Sequence, residues 1–180
     1  MWSIGANSRR VKLAGALLLA AISPLMQGSI GRLDNFSDRT LAAHNRERAA
    51  MGIGPLEWDN ELARDAARWA NHLTNLGYLE HYPDNPADAD PQGENLWAGT
   101  RGYYNVENMV GLWAAEKVNF KPGIFPANSR SGALEDVGHY TQLIWRSTGR
   151  VGCAMAEGAY DEFMVCRYSE GGNIIGRRPF

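Results

Sequence analysis

A chain of 180 residues, 44% apolar and carrying six tryptophans, suits one domain with a sizeable interior and excludes a disordered or low-complexity chain. Its formal charge of -2 gives no electrostatic reason to bind nucleic acid. It contains no internal repeat and no long charge run.

The N-terminus stands apart from the rest. Arg9, Arg10 and Lys12 lead into an apolar run that ends at Ile22, too short for a comfortable membrane span, and Pro24 and Gly28 close it. This is the anatomy of a secretory signal peptide over residues 1–28, with small residues for cleavage near Gly28 and Ser29. Its removal takes away those three cations and no acid, moving the formal charge from -2 to -5. No later segment reads as a transmembrane helix. The expectation is a secreted, extracellular protein, or a periplasmic one in a Gram-negative host, with a lead-in over 29–37 before the domain at 38–180.

The first helical pattern is TLAAHNRERAAMG at 40–52, with Leu41, His44 or Asn45, and Arg48 on successive turns. Ser37 or Asp38 is the expected cap, and Gly52 through Pro55 the stop. After LEW at 56–58, Asp59 or Asn60 caps a second helix, in which Leu62, Ala66, Trp69, Leu73 and Leu76 recur at helical spacing until Gly77. Alanines at 63, 66, 67 and 70 predict close approach to another element. Residues 81–93, rich in Pro, Asp and Asn, form a long loop, and ENLWAG at 94–99 a short strand.

A third helix is expected over 105–119, with Met109, Leu112, Trp113 and Glu116 on one face. The loop KPGIFPANSRSG follows, then a helix over 135–146. VGCAMAEG and EFMVCRYS read as two strands around a turn near Ala159. The tail from Gly171 is irregular, yet Ile174, Ile175 and Phe180 make it too apolar for a free end. Helices bracketing an antiparallel sheet give an α+β sandwich with helices on both faces. Cys153 and Cys166, the only cysteines, sit almost symmetrically about the hairpin turn. Opposed strands and an oxidising compartment together predict a disulfide.

Several polar residues fall where apolar ones are expected. Glu116 shares a face with Met109 and Trp113, so it either snorkels at an edge or faces a polar cavity. Glu94 sits where the loop becomes Leu96-Trp97, and the simplest role for it is to satisfy backbone donors. His139 borders the apolar side of its helix, His81 opens the acidic loop, and His44 lies within the first helix. His72 reads as solvent-facing.

These residues carry a resemblance. HNRER (44–48), LEWDNELARDAARWA (56–70), GENLWAG (93–99), GHYTQLIWRSTGRVGCA (138–154) and FMVCRYSEGGNIIG (163–176) resemble, in order, the CAP superfamily. These are the cysteine-rich secretory, antigen 5 and pathogenesis-related proteins, also called the SCP domain, and the plant pathogenesis-related and secreted microbial members look nearest. The resemblance implies a three-layer α-β-α sandwich around a central antiparallel sheet. It also implies a groove lined by His81, Glu94, Glu116 and His139, and structural roles for His44, Asn45 and Arg48. The hairpin disulfide is shared with the family, whereas the further disulfides of many members have no cysteines here. Packing by Trp97, Trp113 and Trp145 is expected in their place.

Two imidazoles and two carboxylates suit zinc or another divalent cation and suit acid/base work. Hydrolysis also needs a nucleophile, or a metal with an open position. Ser131 and Ser147 read as ordinary loop serines, so an enzyme is the less favoured reading. The favoured expectation is a non-enzymatic binding module for a lipid, sterol or other small apolar ligand, with no obligatory cofactor. Ile124, Phe125 and Pro126 either line the groove or, for Ile124 and Phe125, cap the core. A peptidase-like hydrolase and a defence or host-interaction factor with an extracellular protein partner are the alternatives.

Overall fold

The computed structural model describes residues 31–83, 85, 87 and 91–180. The signal peptide assigned to 1–28 lies outside the described residues.

Helix α1 spans Phe36–Ala50 and starts earlier than the apolar pattern predicts. Neither Ser37 nor Asp38 caps it. Asn35 does, in the left-handed region at φ 50 and without a side-chain bond, while Asp38 sits in the first turn, where a negative charge complements the helix dipole. The two-residue strand β1, Glu57–Trp58, precedes α2, Asn60–Leu76. Asp59 accepts from the Glu61 and Leu62 amides at 2.8 and 3.2 Å, and Gly77 at φ 75 returns its amide to Leu73. Both ends are those expected from sequence.

Strand β2 runs Gly93–Thr100. Helix α3 is Val106–Ala115, opened by a reciprocal Asn105–Asn108 capping box, and is shorter than expected because Glu116 begins a 3₁₀ turn through Val118. Its buried stripe is Val106, Met109, Val110 and Trp113, whereas Leu112 is half exposed. The expected 135–146 helix is broken in two. A 3₁₀ turn at Leu134–Asp136 and α4 at Gly138–Leu143 are separated by Val137, which is fully buried with a non-helical φ of -144. Strands β3, Arg150–Glu157, and β4, Asp161–Ser169, close the hairpin, with the Gly158 amide bonded to the Asp161 carbonyl at 2.8 Å.

The sheet order is β1-β3-β4-β2. The β3–β4 and β4–β2 pairs are antiparallel, and only the short β1–β3 pair is parallel. Cys153 lies directly opposite Cys166 with Cα atoms 4.1 Å apart, and the two form a disulfide. Strand alternation then sorts the interior. Leu96, Phe163 and Val165 face α2, meeting Ala66, Ala70 and Leu73. Trp97, Met164, Cys166 and Tyr168 face the layer of α1, α3 and α4. The mixed architecture is the α-β-α sandwich.

Small residues set the spacing of the α2 layer. Ala66 and Ala70 are completely buried, and a Cβ on Gly152 of β3 would collide with the backbone of Asp59, Leu62 and Ala63, falling 2.7 Å from the Leu62 carbonyl carbon. On the other side, α1 turns polar groups inward. Asn45 grips the Leu56 backbone with both side-chain atoms, at 2.7 and 3.0 Å. Buried Arg48 donates to the carbonyls of Gly54, Leu143, Trp145 and Thr148 at 2.7 to 3.1 Å. Three of those carbonyls belong to the end of α4 and the turn after it, so α1 serves as their cap.

Trp97, Trp113 and Trp145 are all buried. Phe125 is buried too, edge-on to Trp145, so it caps the core while Ile124 stays 51% exposed. The tail divides likewise. Phe180 packs on Phe120, while Ile174 and Ile175 remain exposed; the tail is nevertheless tied down rather than free. Main-chain bonds to Phe125, rather than burial, hold that turn.

Candidate functional site

The four expected site residues form two imidazole–carboxylate pairs. In the first, His81 Nδ1 and the Tyr82 amide donate to Glu94 Oε1 at 2.7 and 3.0 Å. Glu94 is nearly buried while His81 is 67% exposed. The other carboxylate oxygen lies 2.9 Å from Arg167 Nε, but the N–H is not aimed at it, so this contact is an ion pair without a hydrogen bond. In the second pair, His139 Nδ1 donates to Glu116 Oε1 at 2.5 Å and the Tyr140 amide to Oε2 at 3.0 Å. The His139 ring stacks on Trp113.

Strand alternation explains why there are two pairs. Glu94 has the parity of Leu96 and opposes Arg167, so it points toward the α2 layer. Asn95 has the opposite parity and donates to the His139 carbonyl at 3.1 Å. Glu116 and His139 therefore belong to the α3–α4 layer. Both pairs border the start of β2, the first through Glu94 itself and the second through the Asn95 bond to the His139 carbonyl. Among the described residues, no three His, Cys, Asp or Glu side chains converge as a metal-holding group.

The main cleft opens on the α2 side and holds about 790 Å³, within the range of small-molecule sites. His81 and Glu94 line it; Glu116 and His139 do not. Its floor is a polar relay. Asp65 accepts from Gln92 at 2.7 Å, Gln92 accepts weakly from Arg167 at 3.4 Å, and Arg167 stands beside Glu94. Its wall is aromatic: Trp69 stacks on His72 and meets Tyr82 edge-on, and the Arg167 guanidinium lies 4.6 Å from the centre of the Tyr82 ring.

Asp65, Trp69, His72, Tyr82, Gln92 and Arg167 were not legible as site residues. Asp65 and His72 stand four before and three after Trp69, a member of the apolar stripe of α2. Arg167 follows Val165 by one strand period. Those spacings were the available signal, but only the folded loop shows that they face a cleft. Ser131 bonds Ser129 and Asp136, and Ser147 lines a separate hollow with Gly149, Arg150, Ser169 and Glu170. Ile124 and Pro126 are not among the lining residues of the cleft.

The chain matches the family described as "Cysteine-rich secretory protein family" over residues 41–168. It is 36% identical over 171 residues to pathogenesis-related protein PR-1 of Medicago truncatula, spanning 91% of this chain and 93% of that protein. It is 32% identical over 174 residues to pathogenesis-related protein 1 of Arabidopsis thaliana, spanning 96% of each. Among solved structures, NaASP2 with Zn2+ shares the fold with a TM-score of 0.67 at 20% identity, covering 80% of this chain and 84% of that one. The ordered sequence blocks, the sandwich and the hairpin disulfide lead to the same conclusion: this chain belongs to the CAP family, on the side of the plant PR-1-type proteins.

Proposed function

We propose that the protein is a secreted, non-enzymatic binding module whose cleft on the α2 side takes a small amphipathic ligand of the lipid or sterol class. The observation that carries this reading is the pairing of an aromatic wall, Trp69 and Tyr82, with a relay of polar groups from Asp65 to His81. A hydroxyl or carboxyl on the ligand would meet His81 or Arg167, and its apolar body would lie on the rings. The PR-1-type relatives and the signal-peptide pattern support export. No helix among the described residues is long and apolar enough to cross a membrane.

A divalent cation is the second reading, supported by the solved structure of NaASP2 with Zn2+. Each imidazole has its Nδ1 oriented by a carboxylate, the arrangement that commonly stands behind a metal ligand. Zinc ordinarily takes three or four protein ligands, and the described residues do not assemble three. The donor set among the described residues does not by itself make a zinc site, and the binding reading does not depend on one.

The test is a fluorescence titration of the processed protein with sterols and fatty acids, with and without chelator. Saturable binding that weakens at least about tenfold in Trp69→Ala and in Glu94→Gln, unchanged by chelator, is the expected result. Binding that survives both substitutions would place the ligand elsewhere. Cleft-dependent ester or peptide hydrolysis would replace this reading with an enzymatic one.

A further inference from the structure

Three segments without a single acidic residue meet on the side of the molecule where the tail returns: 119–130, 144–150 and 171–180. The Phe125 amide donates to the Arg177 carbonyl at 2.7 Å, and the Gly176 amide donates back to the Phe125 carbonyl at 2.9 Å. The Arg146 amide reaches the Pro179 carbonyl at 2.6 Å. Residues 174–177 form a tight turn, closed by the Arg177 amide on the Ile174 carbonyl. These bonds hold Ile124 and the Ile174-Ile175 turn side by side as one tip. All three isoleucines are exposed, Ile175 at 79%.

The cations of these segments set the tip apart from the remaining surface. Lys121, Arg130, Arg146, Arg177 and Arg178 are exposed, and among the described residues none makes an ion pair with a carboxylate. Arginines at 32, 39, 64, 68 and 101 each face one, while exposed Arg46 on α1 does not, and Arg150 at the end of the second segment pairs with Asp59. Two acids border the segments without pairing with these cations: Asp136 accepts from Ser131, and Glu170 shares a hollow with Ser147 and Arg150. A domain that is acidic overall thus concentrates unpaired positive charge around one apolar tip.

We propose that this tip docks the protein on an anionic lipid bilayer surface. Unneutralised cations gain from the negative potential of such a surface, and isoleucines held at a loop tip insert at the headgroup boundary. A small-ligand groove does not explain the tip, because Phe125, the large side chain of its loop, is turned inward on Trp145. A polar protein partner would leave three isoleucines without a role. The cleft reaches the third segment at Gly172 and Asn173, but its lining includes none of the three isoleucines and none of the five unpaired cations.

The experiment is vesicle co-sedimentation of the processed protein recovered from an exporting host, so that every variant shares the same N-terminus. Phosphatidylcholine vesicles are compared with vesicles carrying about 30% phosphatidylglycerol, at salt near 0.15 M and again at about 0.5 M. Wild type should bind only the anionic vesicles and weaken with salt. Arg177→Ser with Arg178→Ser should cost roughly 5-fold per charge, about 25-fold together. Ile124→Ser with Ile175→Ser should lose binding while keeping the near-ultraviolet circular dichroism of wild type. Three results would each overturn the proposal: no binding to anionic vesicles, equal binding to neutral ones, or binding untouched by the isoleucine pair. Equal capture by a soluble sulfated polyanion with no isoleucine dependence would assign the cations to a polyanion instead.

Discussion

Lowering the pH should destabilise this protein through His44, which belongs to neither imidazole–carboxylate pair and is parted from His139 by the Trp113 ring. His44 is completely buried between α1 and β4. Its Nδ1 is 2.8 Å from the Thr40 carbonyl, which can only accept, so Nδ1 carries the proton. Nε2 therefore accepts from the Tyr168 hydroxyl, also at 2.8 Å. A second proton would set two donors against each other in a dry site near the Arg48 guanidinium. Burial is the largest cause and the Arg48 charge adds to it; together they lower His44 from its ordinary 6.5 to about 4.

The sign follows from proton counting. Between pH 6.5 and about 4 the unfolded chain holds a proton at this position and the folded chain does not. Stability is therefore complete above pH 6.5 and falls as the pH drops toward 4. The interval corresponds to about 3 kcal/mol, since each unit of pKa is worth about 1.4 kcal/mol. Urea unfolding at intervals from about pH 7.5 to 4 should show this slope in wild type, and His44→Gln should lack most of it whatever its absolute stability. If the slopes of the two proteins coincide, the buried neutral imidazole is not the source and the reasoning fails.

Two substitutions test the packing of the layers. Arg48→Lys offers one ammonium where a guanidinium now serves four carbonyls, and should cost about 3 kcal/mol or more in urea unfolding; a loss below about 1 kcal/mol would show that water replaces the fork. Gly152→Ala places a methyl against the α2 backbone rather than against movable side chains, and should lower stability by roughly 2 to 3 kcal/mol, read as a lower urea midpoint; an unchanged midpoint would mean α2 can shift without penalty.

The legible parts of the fold were those announced by local chemistry. Asp59 and Gly77 bracket α2 with a side-chain acceptor and a left-handed glycine, and periodicity fills the interval. The start of α1 was obscured because Asn35 turns the chain by backbone conformation alone, leaving Ser37 and Asp38 as more plausible caps than they are. Strand β1 is two residues long, below any periodic signal. The break at Val137 is tertiary, since its burial fixes a conformation that its neighbours do not demand. Glu94 and Glu116 stood out because carboxylates interrupted apolar patterns. Their partners depend on tertiary structure: Arg167 reaches Glu94 only once β4 has paired with β2, and His139 reaches Glu116 only once α4 packs beside α3. The cations of the tip are ordinary surface residues in sequence; they become a feature when main-chain bonds bring the tail to Phe125.

The disulfide joins the centres of two adjacent strands, and both of its cysteines are almost completely shielded from solvent. A reducing thiolate attacks a sulfur directly, so it must first reach it. Access here requires β3 and β4 to lose the layers packed over them. The lifetime of the bond in a reductant is then a clock for opening of the sandwich, and tightening the helical layers slows that clock without altering the sulfur chemistry. A protein released into an oxidising space would keep this covalent link on later meeting a reducing one, for as long as its layers stay closed.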